Sequence, residues 1–109
     1  MKTYTGQALQ QHVEEKLPQW TIAENCIVRT YKTAGWPGTL MVVNAIAYLS
    51  EAAWHHPDLR VRYREVTVSL TTHSDNGITD RDIELAEKLD QTVSWRSALP
   101  VNGSSAQLT

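Results

Sequence analysis

Three histidines and a glutamate lie close together in two short runs of the sequence. The first run reads Glu51-Ala52-Ala53-Trp54-His55-His56-Pro57, and the second reads Thr71-Thr72-His73-Ser74-Asp75. Imidazole is the side chain whose unperturbed pKa lies near neutrality, so a cluster of imidazoles can both take up and release protons. The two runs therefore predict general acid–base chemistry, provided that folding brings them together.

Glu51 and His55 are four residues apart within a predicted helix, so their side chains share one face of it. A carboxylate at that place can hold one tautomer of an imidazole, and a surface charge pair near the helix end explains the spacing equally well. His56 would lie roughly 100° further around the helix axis. A His-His-Pro sequence is also a common helix exit, so the catalytic interpretation depends on convergence with the second run.

His73 follows a predicted strand and continues its polar face. The sequence from Thr79 to Asp82 reads as an N-cap followed by an acidic residue at the third helical position, a variant of the capping box. Helix capping therefore explains Thr79 and at least part of the role of Asp82.

Trp54 and Trp36 could stack on a flat ligand, although core or interface packing is the commoner use of an indole. The glutamate and the three histidines also offer metal-ligand atoms, but their spacing matches no common zinc motif, so we expect no metal.

Size and composition favour one soluble domain. The chain has 109 residues, of which 41% are hydrophobic and 20% charged, and its net charge of -2 gives no electrostatic footprint for nucleic acid. Cys26 is the single cysteine, which excludes an internal disulfide and fits a reducing, cytoplasmic compartment. The longest apolar stretch, Leu40 to Leu49, is too short to span a bilayer. We expect one domain over residues 1–96 and a flexible polar tail over residues 97–109.

Periodicity predicts helices alternating with pairs of strands. The first half is expected to contain a helix over Gln7–Lys16, strands over Trp20–Ile22 and Cys26–Tyr31 with a turn at Glu24-Asn25, and a connector over Lys32–Gly38. A second helix is expected from Thr39 to Trp54 or His55. It is followed by a hairpin of Val61–Tyr63 and Val66–Thr72 bending at Arg64-Glu65, and by a helix from Thr79 to about Val93. This order predicts an α+β fold, a four-stranded antiparallel sheet with helices packed on one face. The second helix is apolar nearly all round at its start, which predicts cover from another subunit.

At this point the spaced residues resemble a known signature. Glu51-x-x-x-His55-His56-Pro57, followed by Tyr63, His73 and Asp82, resembles the signature of the pterin-4a-carbinolamine dehydratases, and the likeness extends over about Trp20 to Leu89. The resemblance implies the same four-stranded sheet, a homodimer or homotetramer, and no metal or cofactor. It implies loss of water from 4a-hydroxytetrahydropterin to give quinonoid dihydropterin.

The resemblance also implies a role for each matching residue. It implies His56 as the main acid/base with His55 and His73 assisting, Glu51 orienting an imidazole and Asp82 supporting the pocket. Trp54, Thr72 and Ser74, which adjoin these histidines in the sequence, are the expected substrate contacts.

The sequence departs from the usual family pattern in three places. It contains no phenylalanine, it carries Trp54 where a smaller polar residue is usual, and it continues past the usual end with a polar tail. These features resemble a divergent branch of bacterial dehydratase-like proteins, some of which are associated with carboxysomes and act in RuBisCO assembly. The alternative function is therefore that of a catalytically silent assembly factor or chaperone whose partner is the RuBisCO large subunit.

Overall fold

Helices and strands alternate along the chain, and the computed structural model describes residues 2–94. The elements are α1 Gly6–Lys16, β1 Thr21–Ala23, β2 Cys26–Lys32, α2 Trp36–Ala53, β3 Asp58–Arg62, β4 Glu65–Leu70 and α3 Asp80–Leu89. A short 3-10 turn, His73–Asp75, precedes α3, and a π-helical turn, Asp90–Ser94, follows it. The predicted domain end at residue 96 and the predicted tail over residues 97–109 lie outside the described residues.

The four strands form one antiparallel sheet in the order β1-β2-β4-β3. This confirms the predicted α+β architecture. Val66, Val68 and Leu70 of β4 are fully buried, while the residues between them are only partly buried. Because side chains alternate across a strand, this pattern places the apolar face of β4 on the core and its polar face outward.

The helices cover the apolar face of the sheet. Helix α2 packs against α3 and against β3 and β4, and it buries Val42 and Ile46. Burial of each such side chain stabilises the fold by roughly 1.5–3 kcal/mol. Although α2 has 18 residues, neither it nor any other helix within residues 2–94 is long and apolar enough to cross a membrane.

Helix α2 begins three residues earlier than predicted, at Trp36. Pro37 and Gly38 suggested an irregular connector, but proline is well suited to the first turn of a helix because the amide it lacks has no partner there. Thr39 is consequently inside the helix, and its buried hydroxyl donates to the carbonyl oxygen of Tyr63 at 2.8 Å. This bond ties the start of α2 to the turn of the β3–β4 hairpin.

Other boundaries differ from the prediction as well. Strand β1 covers Thr21–Ala23 instead of Trp20–Ile22, β3 covers Asp58–Arg62 instead of Val61–Tyr63, and β4 ends at Leu70 instead of Thr72. The hairpin turns at Tyr63-Arg64 rather than Arg64-Glu65, because Arg62 pairs with Glu65 in the sheet. Helix α3 ends at Leu89, and the π-helical turn then carries Val93 into the core. Val93 is therefore buried, although regular helix does not reach it.

Candidate active site

The exit of α2 separates the two adjacent histidines. The amide of Trp54 donates to the carbonyl oxygen of Glu51 at 3.0 Å, and the amide of His55 donates to that of Ser50 at 3.0 Å. Trp54 has φ 52° and ψ 49°, the left-handed conformation that closes many helices and that glycine usually adopts. The chain therefore leaves the helix at Trp54, so His55 turns into the protein while His56 stays exposed.

A buried carboxylate receives His55. The side chain of Asp82 is fully buried, and its Oδ1 lies 2.6 Å from Nε2 of His55. Its Oδ2 accepts the Thr72 hydroxyl at 2.7 Å and the Thr79 amide at 2.8 Å. With Nε2 protonated, His55 donates the third hydrogen bond, and the carboxylate then holds both the ring orientation and the tautomer.

The capping box predicted from sequence forms as expected. The side chain of Thr79 accepts from the first turn of α3, and the side chain of Asp82 accepts from the Thr79 amide. The helix N-terminus also favours a negative charge at this place. Asp82 therefore caps α3 and holds His55 at the same time.

Glu51 pairs with His56 rather than with His55, which corrects the expected partner. Oε1 of Glu51 lies 2.8 Å from Nε2 of His56, and both side chains are more than half exposed. The spacing of four residues places side chains together only while the helix continues, and the helix ends before His55. The indole of Trp54 stands edge-on to the His56 ring, with centroids 5.0 Å apart and planes at 83°.

His73 begins the 3-10 turn and is exposed. The turn is closed at its base by the Thr72 amide, which donates to the carbonyl oxygen of Gly77 at 2.9 Å. Because the Thr72 hydroxyl bonds Asp82 and Asp82 bonds His55, the two sequence runs meet at one carboxylate. The residue that makes this link is Thr72 and not His73, so the convergence of the three imidazoles on one pocket stays a prediction.

The expected substrate contacts differ in exposure. Thr72 is 3% exposed and its hydroxyl is engaged with Asp82 and Thr79, so its side chain supports the site from below instead of facing a ligand. Ser74 is exposed and donates to Asp75 at 2.8 Å, and this bond lowers the pKa of the Asp75 carboxyl. Trp54 is 68% exposed, which leaves its indole accessible.

Arg81 was not singled out from the sequence, yet it joins the two parts of the site. Its guanidinium donates to the carbonyl oxygen of Trp54, so α3 holds the exit of α2. A pocket of about 80 Å³ lies beside this contact and is lined by Ala53, His55, Arg81, Glu84, Leu85 and Lys88. The proximity of Arg81 to Asp82 in sequence was the available signal, but its partner is a backbone atom 27 residues away.

A larger open groove of about 990 Å³ lies between α1 and β1, and none of the predicted catalytic residues lines it. The candidate site is therefore identified by its histidines and carboxylates and not by pocket volume, because the larger groove has no cluster of acid–base side chains.

Within residues 2–94, no three His, Cys, Asp or Glu side chains are arranged to hold a metal ion. Trp36, the other candidate stacking residue, is 45% exposed at the start of α2.

Known proteins resemble the chain over most of its length. The sequence profile of the family described as Pterin 4 alpha carbinolamine dehydratase matches residues 2–92. A protein of Aquifex aeolicus named "Putative pterin-4-alpha-carbinolamine dehydratase" is 49% identical over 79 residues, which cover 72% of this chain and 80% of that protein. A protein of the same name from Chloroflexus aurantiacus is 43% identical over 74 residues, covering 68% of this chain and 80% of that protein.

Two solved structures share the fold. The crystal structure of a transcriptional coactivator/pterin dehydratase from Brucella melitensis aligns with a TM-score of 0.77 and 26% identity, over 83% of this chain and 97% of that one. A pterin dehydratase-like protein identified as a RuBisCO assembly factor in the alpha-carboxysome aligns with a TM-score of 0.55 and 16% identity, over 66% of this chain and 83% of that one. The second likeness concerns the fold alone. On the profile match and the curated relatives, the chain belongs to the pterin 4 alpha carbinolamine dehydratase family.

Proposed function

We propose that the protein dehydrates 4a-hydroxytetrahydropterin to quinonoid dihydropterin by histidine acid–base catalysis. The observation that carries the proposal is the buried Asp82 carboxylate, which binds both His55 and the residue preceding His73. In the reaction the bond between C4a and the hydroxyl oxygen breaks, a ring N–H proton leaves, and water departs. One group must accept that proton while another protonates the departing hydroxyl.

His56 is proposed as the main acid/base. Its ring is 52% exposed, so a substrate can reach it, and the Glu51 carboxylate 2.8 Å from Nε2 can orient the ring. His73 is also exposed and would serve the second proton transfer. His55 is 7% exposed and fixed by Asp82, which suits an assisting role at the floor of the site.

Trp54 and Ser74 are proposed to contact the pterin. The accessible indole of Trp54 offers a flat wall beside His56, and an aromatic wall suits a planar bicyclic ring. The exposed hydroxyl of Ser74, one residue after His73, can form a hydrogen bond to a ring substituent. The buried Thr72 supports the site through Asp82.

The direct test follows the dehydration of 4a-hydroxytetrahydropterin generated in situ and mixed rapidly with purified protein. We expect the quinonoid dihydropterin to form faster than in buffer, in proportion to protein concentration. A rate equal to that in buffer, with protein shown to be folded by circular dichroism, would exclude the enzyme.

Homo-oligomer formation is proposed from the outward side of α2. This side presents large apolar side chains to solvent in the single chain, namely Trp36, Leu40, Met41 and Tyr48, with exposures of 45%, 40%, 42% and 74%. Several exposed apolar side chains on one helix favour association. We expect light scattering to give a dimer or tetramer, and we expect Met41→Glu to shift it toward monomer while Gln11→Glu on the exposed side of α1 does not.

The second candidate function is that of a RuBisCO assembly factor without catalysis. The same exposed side of α2, together with the accessible Trp54, could bind a RuBisCO large subunit. Co-expression with RuBisCO subunits tests it, and an unchanged yield of holoenzyme would count against it. If the protein is the enzyme, we expect it in the cytoplasm, and if it is the assembly factor, we expect it to associate with carboxysomes.

A further inference from the structure

The segment before α1 runs along the loop that carries His73. The amide of Tyr4 donates to the carbonyl oxygen of Ile78 at 2.8 Å, which makes an isolated antiparallel bridge. On the other side of the same loop, Gly77 is bridged to Thr72. Consecutive residues of an extended segment direct their backbone groups to opposite sides. The pair Gly77-Ile78 is therefore held between the end of β4 and the N-terminal segment.

A side-chain hydrogen bond also connects the N-terminal segment to α3. The hydroxyl of Tyr4 donates to Oδ1 of Asp80 at 2.7 Å, and Asp80 is the first residue of the helix that carries Asp82. The hydrogen bond to this carboxylate raises the pKa of the Tyr4 phenol, so the phenol remains a donor well above neutral pH. The Tyr4 ring also packs against His12 of α1, with ring centroids 4.4 Å apart.

The fit between the N-terminal segment and the loop is close. Gly77 is buried, and a Cβ at this position would lie 3.4 Å from Cγ2 of Thr3. Asn76, just before it, has φ 54° and closes the loop in the left-handed conformation. Thr3 and Tyr4 therefore lie directly against the loop at Gly77 and Ile78.

We propose that Tyr4 is a positioning residue for the histidine site. Through Ile78 it sets the return of the loop that presents His73, and through Asp80 it sets the first turn of α3, from which Asp82 holds His55. This inference rests on the proposed function, since it assigns Tyr4 an effect on the same site. Tyr4 itself need not touch the substrate.

The test uses Tyr4→Phe, which removes the bond to Asp80 and keeps both the ring and the backbone bridge. Tyr31→Phe, which removes the phenol bond to Asp90 at the other end of α3, is the matched control. Asp80→Asn, which retains an oxygen acceptor, and Asp80→Ala, which does not, form a second pair. The readouts are kcat and KM for dehydration, the histidine ring signals in NMR spectra, and amide hydrogen exchange at Thr72 and Gly77.

For Tyr4→Phe and Asp80→Ala we expect exchange at the two loop amides to rise roughly five- to tenfold, as for loss of one hydrogen bond. We also expect shifted His73 ring signals, a several-fold lower kcat and a nearly unchanged KM. Asp80→Asn should remain close to the wild type, and Tyr31→Phe should leave kcat, the His73 ring signals and exchange at Thr72 and Gly77 unchanged.

Faster loop exchange with unchanged histidine signals and unchanged kcat would overturn the inference, because Tyr4 would then only stabilise the fold. No change in any readout would overturn it as well. If the wild-type protein shows no dehydration, the proposed function fails by itself, and the histidine signals and loop exchange then decide the inference about Tyr4. If Tyr4→Phe does not fold, the Asp80 pair decides it.

Discussion

Asp82 in the first turn of α3 and Asp90 just after its last residue are each bonded by three residues, but those residues differ in chemistry. Asp82 binds His55, Thr72 and the backbone of Thr79. Asp90 accepts from the Trp20 indole at 3.0 Å, the Arg29 guanidinium at 2.7 Å and the Tyr31 hydroxyl at 2.6 Å. Both carboxylates join distant parts of the chain, so a carboxylate bonded by several residues does not by itself mark an active site.

The position along the helix explains why the partners differ. The N-terminus of a helix favours a carboxylate and the C-terminus disfavours one. Asp82 needs no cation for that reason, whereas Asp90 is paired with Arg29, a permanent cation. Burial, and then the hydrogen bond to Asp90, raises the pKa of Tyr31 far above its ordinary value.

The two carboxylates differ in whether their partners can exchange protons near neutral pH. At the Asp90 end, the partners are an indole, a guanidinium and a phenol that stays protonated, so none of them exchanges protons near neutral pH. At the Asp82 end, one partner is the His55 imidazole, which the exposed His56 follows in the chain, and another is Thr72, which the exposed His73 follows. We therefore expect changes at the Asp90 end to affect stability alone and changes at the Asp82 end to affect catalysis.

The largest effect is expected for His56→Gln, which removes the proposed main acid/base. The dehydration rate should fall by about 10²–10⁴-fold, the usual contribution of a positioned acid–base group. The melting temperature should not change, because the side chain is half exposed. Glu51→Gln should give a smaller fall in rate, and a His56→Gln enzyme as fast as wild type would remove His56 from the mechanism.

Asp82→Asn should affect both stability and catalysis. The substitution removes the charge that three donors share in a fully buried position, and we expect the free energy of unfolding to fall by about 3 kcal/mol. The rate per folded molecule should fall as well, because His55 loses its fixed tautomer. Chemical denaturation and the dehydration assay check the two parts, and a stability loss without a loss of rate would contradict the assigned role.

Asp90→Asn is the matched change at the other end of α3. We expect the free energy of unfolding to fall by about 1–2 kcal/mol, since the bond to Arg29 loses its charge. The rate per folded molecule should stay at the wild-type value. A large loss of rate in folded Asp90→Asn would contradict the division between the two ends.

Alkaline pH should weaken the Asp90 end through Tyr31. The pKa of Tyr31 is higher in the folded protein than in the unfolded chain, so its contribution to stability is complete below the ordinary tyrosine pKa of 10.0 and is lost as pH rises above it. We expect the free energy of unfolding, measured by chemical denaturation, to fall by about 1 kcal/mol between pH 10 and pH 11. Tyr31→Phe should show a shallower decline, and equal slopes in the two proteins would contradict the prediction.

The smallest expected effect on stability is a gain, from Trp54→Gly. Glycine accepts the left-handed conformation of Trp54 without strain, so unfolding should require about 1 kcal/mol more. The dehydration rate should fall several-fold because the indole wall is lost. Trp54→Ala keeps the strain and loses the indole, so it should show the lower rate without the gain in stability; wild-type rates in both variants would remove Trp54 from the pterin site.

The local features of the site could be predicted from the sequence. The capping box of Thr79 and Asp82 and the α+β order follow from short-range patterns, and the structure confirms both. The partner of Glu51 could not be predicted, because a tryptophan gives no sign of the left-handed conformation that ends α2 before His55. The bonds of Asp90 were missed because Trp20, Arg29 and Tyr31 lie 59 to 70 residues away in sequence.

The most direct test of the account compares the two ends of α3 in one titration. Protein labelled in its histidine and tryptophan rings is titrated with 7,8-dihydrobiopterin, a stable pterin, and followed by NMR. We predict that the ring signals of His55, His56 and His73 shift together with a single Kd, while the indole N–H signal of Trp20 at Asp90 does not move. Shifts confined to Trp20 or His12, or no shift in any histidine ring at saturating pterin, would contradict the account.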